Sequence, residues 1–193
     1  MSAYIALLRA VNVSGKNRLS MAGLRALLEE LGLRDVRTYL QSGNAVFSVP
    51  VAAADGLAAD IEERLSRDLG VDTRVVLVPA ETLAAVAAAN PFAGLPGVDE
   101  RWLHATFLCP TEAGGAGPDA EALGVATDGL GCQATEGEAA RLVVVPPPVV
   151  FLKLPHGYGR TKLTNAALER ALGVAATTRN WRTVLALAQM GGS

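Results

Sequence analysis

Short apolar runs alternate along the chain with stripes of apolar residues at helical spacing. Residues 4–11 are apolar at nearly every position and predict a strand. Ser20 is placed to N-cap a helix whose apolar positions are Leu24, Leu27, Leu28 and Leu31, with Gly32 suited to C′. Residues 36–41 read as a second strand, and Ser42-Gly43 makes a tight turn into a third over 45–49. A second helix spans about 55–69, with Leu57, Ile61 and Leu65 on one face and Gly70 ending it. Residues 73–78 form a fourth strand. From Pro79 a further helix runs to about residue 89, where Asn90-Pro91 stops it.

This βαββαβ order with a trailing helix predicts a ferredoxin-like plait: an antiparallel four-stranded sheet with two helices on one face. We take its first and third strands as parallel neighbours. The loop after strand one and the turn before strand three would then lie at opposite ends of the sheet, roughly 23 Å apart for a seven-residue strand. One small ligand should not touch both unless the strands are short or the second half intervenes, which favours the loop over the hairpin.

Residues 94–100 read as a linker, and the second half repeats the order more loosely. A strand over 102–109 precedes a Gly-rich loop at 112–118 and a short helix near 119–123. Residues 131–136 and 142–145 predict a hairpin turning at Gly137, ended by Pro146, Pro147 and Pro148 because proline cannot donate to a ladder. A short extended piece (149–154), a helix (164–172, closed by Gly173), a last strand (174–177) and a terminal helix (180–190) complete the chain. The expected fold is α+β, with plait-like halves over 1–93 and 98–193. The Leu, Val and Ala stripes of the helices are core.

Composition narrows the class. The 193 residues are 50% hydrophobic and 19% charged, which excludes a disordered chain. No apolar run approaches the roughly 18 residues of a membrane span. The first apolar stretch has no basic lead-in and ends at Arg9, too early for a signal peptide. The expectation is a cytoplasmic protein. Cys109 and Cys132 are far apart, and His104 and His156 have no metal-ligand spacing, so neither a metal nor a cofactor is expected.

The net charge of −2 conceals an uneven distribution. Arg9, Lys16, Arg18 and Arg25 occur with no acid before Glu29. Lys153, Arg160, Lys162, Arg170, Arg179 and Arg182 share their segment with Glu169 alone. All three lysines of the chain, Lys16, Lys153 and Lys162, fall inside these two segments. Two basic stretches on an acidic body point to a local anion site more than to a broad nucleic-acid surface.

Three segments carry a resemblance. Residues 9–17 (RAVNVSGKN), 38–44 (TYLQSGN) and 177–184 (TTRNWRTV) resemble, in position and order, signature segments of the bacterial domain-of-unknown-function family 1697. The resemblance covers nearly the whole chain. It implies two plait-like halves in a cytoplasmic bacterial protein and no established activity. Ser14 departs from the glycine pair expected before the lysine, which bears on the loop's backbone freedom but leaves Asn12, Gly15 and Lys16 in place.

The loop at 12–18 superficially looks like a P-loop, with Gly15-Lys16 before a helix. Ala10 and Asn17 stand where that motif needs a glycine and a hydroxyl, so a Walker site is excluded. Backbone N–H groups and Lys16 remain able to hold an anion. In the hairpin, Gln41, Ser42 and Asn44 offer amide and hydroxyl groups, while Gly43 and Asn44 suit positive φ. Thr178 or Asn180 can N-cap the last helix. Arg179 and Arg182 then read as first-turn arginines opposing the macrodipole, a mismatch that a bound anion would relieve. The stretch from His156 to Lys162 is a glycine-spaced basic loop with Arg160, suited to clamp an anion.

The leading functional expectation is a small anionic ligand, a phosphate-containing metabolite or nucleotide, bound in a basic cleft between the halves. Asn12, Gly15, Lys16, Lys162, Thr178, Arg179 and Asn180 are its primary residues. Arg9, Gln41, Ser42, Asn44, Lys153 and Arg160 are secondary. No paired acid–base carboxylates or nucleophile elbow stand out, so the sequence assigns no reaction. An RNA-binding plait is the first alternative, disfavoured by 5% aromatic content and a pI near 5.7. A protein-interaction or oligomeric scaffold using an open sheet edge is the second, and the sequence leaves oligomeric state open.

Overall fold

The apolar run near the N-terminus forms β1 (Ser2–Leu8), a central strand of the first sheet, with Ile5, Ala6, Leu7 and Leu8 all sealed from water. Apolar side chains on both faces of one strand require cover on both faces of its sheet. On one face, Ala6, Leu8, Ala45 and Phe47 pack beneath Leu24, Leu27 and Leu28 of α1 (Met21–Glu30) and Leu57, Ile61 and Leu65 of α2 (Leu57–Leu69). On the other, Ile5, Leu7, Val46 and Val78 are equally buried. Gly191 approaches that face so closely that a Cβ there would stand 2.8 Å from Ala80 Cβ and 3.2 Å from Ile5 Cδ1.

In this computed structural model, residues 1–13, 15, 17–109, 124, 127, 129, 134–144 and 147–192 are described. The chain divides into two units, Met1–Ala84 with Leu187–Ser193, and Ala85–Ala186. In the first, β1, β2 (Arg34–Thr38), β3 (Asn44–Val49) and β4 (Val75–Pro79) lie in the order β2-β3-β1-β4, every neighbour antiparallel. Local signals set the helix ends. Ser20 Oγ accepts from Gly23 N at 2.9 Å to cap α1, and Gly70, at φ 63°, closes α2. Then α3 (Ala80–Ala88) follows β4 directly.

One expectation is corrected. β1 and β3 are antiparallel, with Leu7 opposite Asn44 and Ser2 opposite Val49. A helical crossover makes β1 and β2 parallel with one strand between them, and that inserted strand must run the other way. The loop after β1 and the hairpin before β3 therefore share one end of the sheet.

The second unit repeats the order. β5 (Leu103–Leu108), β6 (Ala139–Val143), β7 (Val149–Lys153) and β8 (Ala176–Asn180) form an antiparallel sheet, β6-β7-β5-β8. Helix α4 (Asn165–Leu172) places Leu168 and Leu172 against Leu108, Val150, Leu152 and Ala176. Helix α5 (Trp181–Gly191) follows β8 without a loop.

Two further expectations change. The turn at Gly137 exists, at φ 82° with Glu138 N donating to Thr135 O at 2.9 Å, and it precedes β6; residues 131–133 of the strand expected before it lie outside the described residues. The hairpin is β6 with β7, and residues 144–148 connect them. Prolines fit there because a connection needs no ladder donors, and the Pro148 carbonyl still accepts from Leu108 N at 3.1 Å. The last strand runs to Asn180, so Arg179 belongs to β8 and not to a helix's first turn. The expected Gly-rich loop at 112–118, the helix near 119–123, and Ser14, Lys16 and Cys132 lie outside the described residues.

Candidate functional site: the loop and hairpin at one end of the first sheet

Past Leu8 the chain is held from both sides. Leu8 N donates to Gly43 O at 2.8 Å and Arg9 N to Arg74 O at 2.9 Å, so the loop leaves the sheet between the hairpin and the start of β4. Thr73 Oγ1 donates to Arg9 O at 2.5 Å. Within the next eight residues Ala10 (φ 52°), Asn12 (55°), Gly15 (77°) and Asn17 (47°) are left-handed. Such values are tolerated by Gly and Asn but cost alanine about 1 kcal/mol.

Asparagine side chains hold this conformation. Asn12 Nδ2 donates to Leu19 O at 2.8 Å and to Gln41 O at 2.7 Å, while Asn12 Oδ1 accepts from Leu19 N at 2.9 Å. Asn12 N donates to Asn17 O at 3.0 Å, and Asn17 Nδ2 reaches Asp72 O at 3.0 Å. One amide thus ties the loop to itself and to the hairpin, and a second ties it to the segment before β4.

The hairpin is equally constrained. Leu40 is left-handed at φ 57° and Gly43 at 72°. Asn44 is fully buried, and its Nδ2 donates to Tyr39 O at 2.8 Å and Ser42 Oγ at 3.0 Å. A side chain at Gly43 has no room, since its Cβ would overlap Val11 Cγ2 and stand 2.8 Å from Leu8 Cβ.

Two concavities flank the loop. One, of about 360 Å³, is lined by Asn12, Gly15, Arg18, Leu19 and Ser20. Arg18 is exposed, and among the described residues no carboxylate lines this hollow. The other, of about 390 Å³, includes Arg9 and Arg74 but also Glu62 and Asp72, and Arg74 Nε lies 3.3 Å from Glu62 Oε2. Only the first of the two has an uncompensated positive lining. The first-turn N–H groups of α1, beside Ser20, add the positive end of the helix dipole.

The structure places Asn12, Gly15, Gln41, Ser42 and Asn44 at this end of the sheet, with Arg9 and Arg18. Residues 178–180 are otherwise engaged. Thr178 Oγ1 donates to Asn165 Oδ1 at 3.0 Å and lies 2.8 Å from Thr106 Oγ1, and Asn165 Nδ2 donates to Ala176 O at 2.7 Å. Asn165 N also donates to Tyr158 Oη at 3.0 Å, and the Tyr158 ring lies 5.3 Å from that of His104. This chain of contacts pins the start of α4 to the sheet.

Strand alternation turns Arg179 to the opposite face from Thr178, opposite Ala105 in register. Its Nη1 donates to Thr177 Oγ1 at 2.7 Å and Thr178 O at 3.0 Å, and burial pushes its guanidinium down to about 10. Asn180 Oδ1 accepts from Thr183 N at 2.9 Å and caps α5. Arg160 and Lys162 are exposed on the loop after β7, and Lys153 ends that strand. Ala10, Asn17, Arg18 and Leu40 also stand at this end of the sheet, outside the residues expected to form the site. Their signal was antiparallel pairing, which brings their two segments together.

Among the described residues no group of three or more His, Cys, Asp and Glu is arranged to hold a metal, and no helix is long and apolar enough to cross a membrane. No curated protein matches the chain. The structure of conserved bacterial protein SP0830 from Streptococcus pneumoniae is similar over 100% of this chain and 99% of that one, with 23% identity and a TM-score of 0.72. That likeness supports the fold of paired plait-like sheets. The family model for "Protein of unknown function (DUF1697)" matches residues 1–127, a stretch that includes both the strained loop and the hairpin. The chain therefore belongs to the DUF1697 family.

Proposed function

We propose that this protein binds a small phosphate-bearing metabolite or nucleotide at the loop and hairpin of its first unit. The observation that carries the reading is the loop itself. Four left-handed residues fall within eight positions, cross-tied by Asn12 and Asn17, and two of them, Asn12 and Gly15, line a concavity with Arg18 and, among the described residues, no carboxylate. Backbone held in sparsely populated conformations clusters at ligand sites, where preorganisation lowers the cost of binding. Gly15 supplies a left-handed position at φ 77° and faces open space, with nothing within 4 Å of where its Cβ would be. The sequence adds Lys16 beside it. The reading rests on this unit alone, with Lys162 and Arg179 outside it.

Burial of the first sheet favours a small ligand over RNA. Base stacking on a plait uses aromatics on an open sheet face. Here Tyr4 and Phe47 are opposite one another, but Phe47 is 1% exposed in the core beneath the helices.

Calorimetric titration with inorganic pyrophosphate and nucleoside diphosphates tests the proposal. Micromolar binding by the wild type, weakened at least tenfold in Arg18→Ala with the melting temperature kept, is the expected result. Absence of heat with every phosphate, or binding indifferent to Arg18, would refute it.

A further inference from the structure

Leu40 fits neither of the usual reasons for a residue's place. At φ 57° its backbone suits Gly or Asn, and its side chain is 53% exposed, so core packing does not account for it. Val13, at 56%, is another exposed aliphatic residue at this end of the sheet. Asn12, its neighbour, donates to the carbonyl of Gln41, the neighbour of Leu40, at 2.7 Å. The side chains of Gln41 and Ser42 are exposed beside Leu40. An aliphatic surface, an amide, a hydroxyl and a cationic hollow thus belong to one tied structure.

We infer that the ligand is a nucleoside phosphate, and that Leu40 is a binding residue whose side chain lies against the base. The inference rests on the anion-site reading above and deepens it. An inorganic anion has no use for exposed aliphatic carbon. An acyl phosphate would use Leu40 and Val13 but not the hydrogen-bonding groups of Gln41 and Ser42. A nucleobase has both an apolar face and a polar edge, and its phosphate matches Arg18 in the hollow.

The test is Leu40→Gly. Glycine adopts φ 57° without strain, so the fold keeps its shape, and the melting temperature stays level or rises. Binding of adenosine, guanosine, uridine and cytidine diphosphates and of inorganic pyrophosphate is measured on both proteins. Loss of one leucine contact weakens the preferred nucleotide roughly tenfold, while pyrophosphate is unaffected. Leu40→Asn, which also tolerates the left-handed backbone, behaves in the same way. Nucleotide and pyrophosphate binding with equal affinity, or Leu40→Gly binding nucleotides as the wild type does, would overturn the inference and leave the anion site standing. Failure of the wild type to bind any of these phosphates would overturn both.

Discussion

Gly43→Ala separates steric from conformational need at the centre of the site. Gly43 sits at φ 72°, and an alanine forced to that value costs about 1 kcal/mol. The added Cβ also meets Val11 Cγ2 and, at 2.8 Å, Leu8 Cβ. Leu8 is fully buried in β1, and its amide is bonded to the Gly43 carbonyl, so neither side yields cheaply. Overpacking of this kind costs about 1–3 kcal/mol. The reduced freedom of the unfolded chain returns about 0.4–1 kcal/mol. The net expectation is a loss of about 1–3.5 kcal/mol. Gly32→Ala is the matched control. Gly32 has φ 81° but nothing within 4 Å of its Cβ position, so only the backbone cost of about 1 kcal/mol, less the unfolded-state return, applies. Urea unfolding followed by circular dichroism gives both values. Equal losses in the two variants would refute the claim that the hairpin turn is wedged against β1.

Three further outcomes follow from the same contacts. Burial pushes the His104 imidazole below its ordinary value, opposed by the Trp102 carbonyl. The folded state then binds fewer protons than the unfolded one, so this stability is complete above about pH 6.5. It is lost as pH falls toward the folded value, and melting curves from pH 7.5 to 5 should decline less steeply in His104→Phe than in the wild type. Thr178→Val keeps the shape but removes the hydroxyl between Thr106 and Asn165, with an expected loss of about 1–3 kcal/mol in denaturant unfolding. Asn12→Ala removes two donated bonds and one accepted bond, and should raise amide hydrogen exchange at Leu19 and in residues 40–43 while β5 to β8 keep their protection.

Much of the fold was legible because its signals are local. The apolar run of β1, the Ser20 cap, the Gly70 stop and the Asn180 cap are properties of a few adjacent residues. What escaped was pairing. The spacing of residues 4–11 and 44–49 alone does not state which way the strands run; the helical crossover between β1 and β2 does, and that direction decides whether Asn12 meets Gln41. The prolines at 146–148 misled for a related reason. They mark the absence of ladder donors, which fits a hairpin connection as well as the end of a sheet. At 178–180 the residue types were read as ligand groups. Strand alternation and the cap instead direct Thr178 to α4, Arg179 to the opposite face and Asn180 to α5. In the loop, Asn12, expected as a ligand group, also ties the backbone to Leu19 and Gln41.

The most direct test of the account is chemical-shift mapping of the amide spectrum during titration with a nucleoside diphosphate. A site at the strained loop predicts saturable shifts confined to residues 9–20 and 39–44, with Arg18→Ala abolishing them at the same ligand concentration. Saturable shifts centred on residues 156–164, or no shifts at millimolar nucleotide, would contradict it.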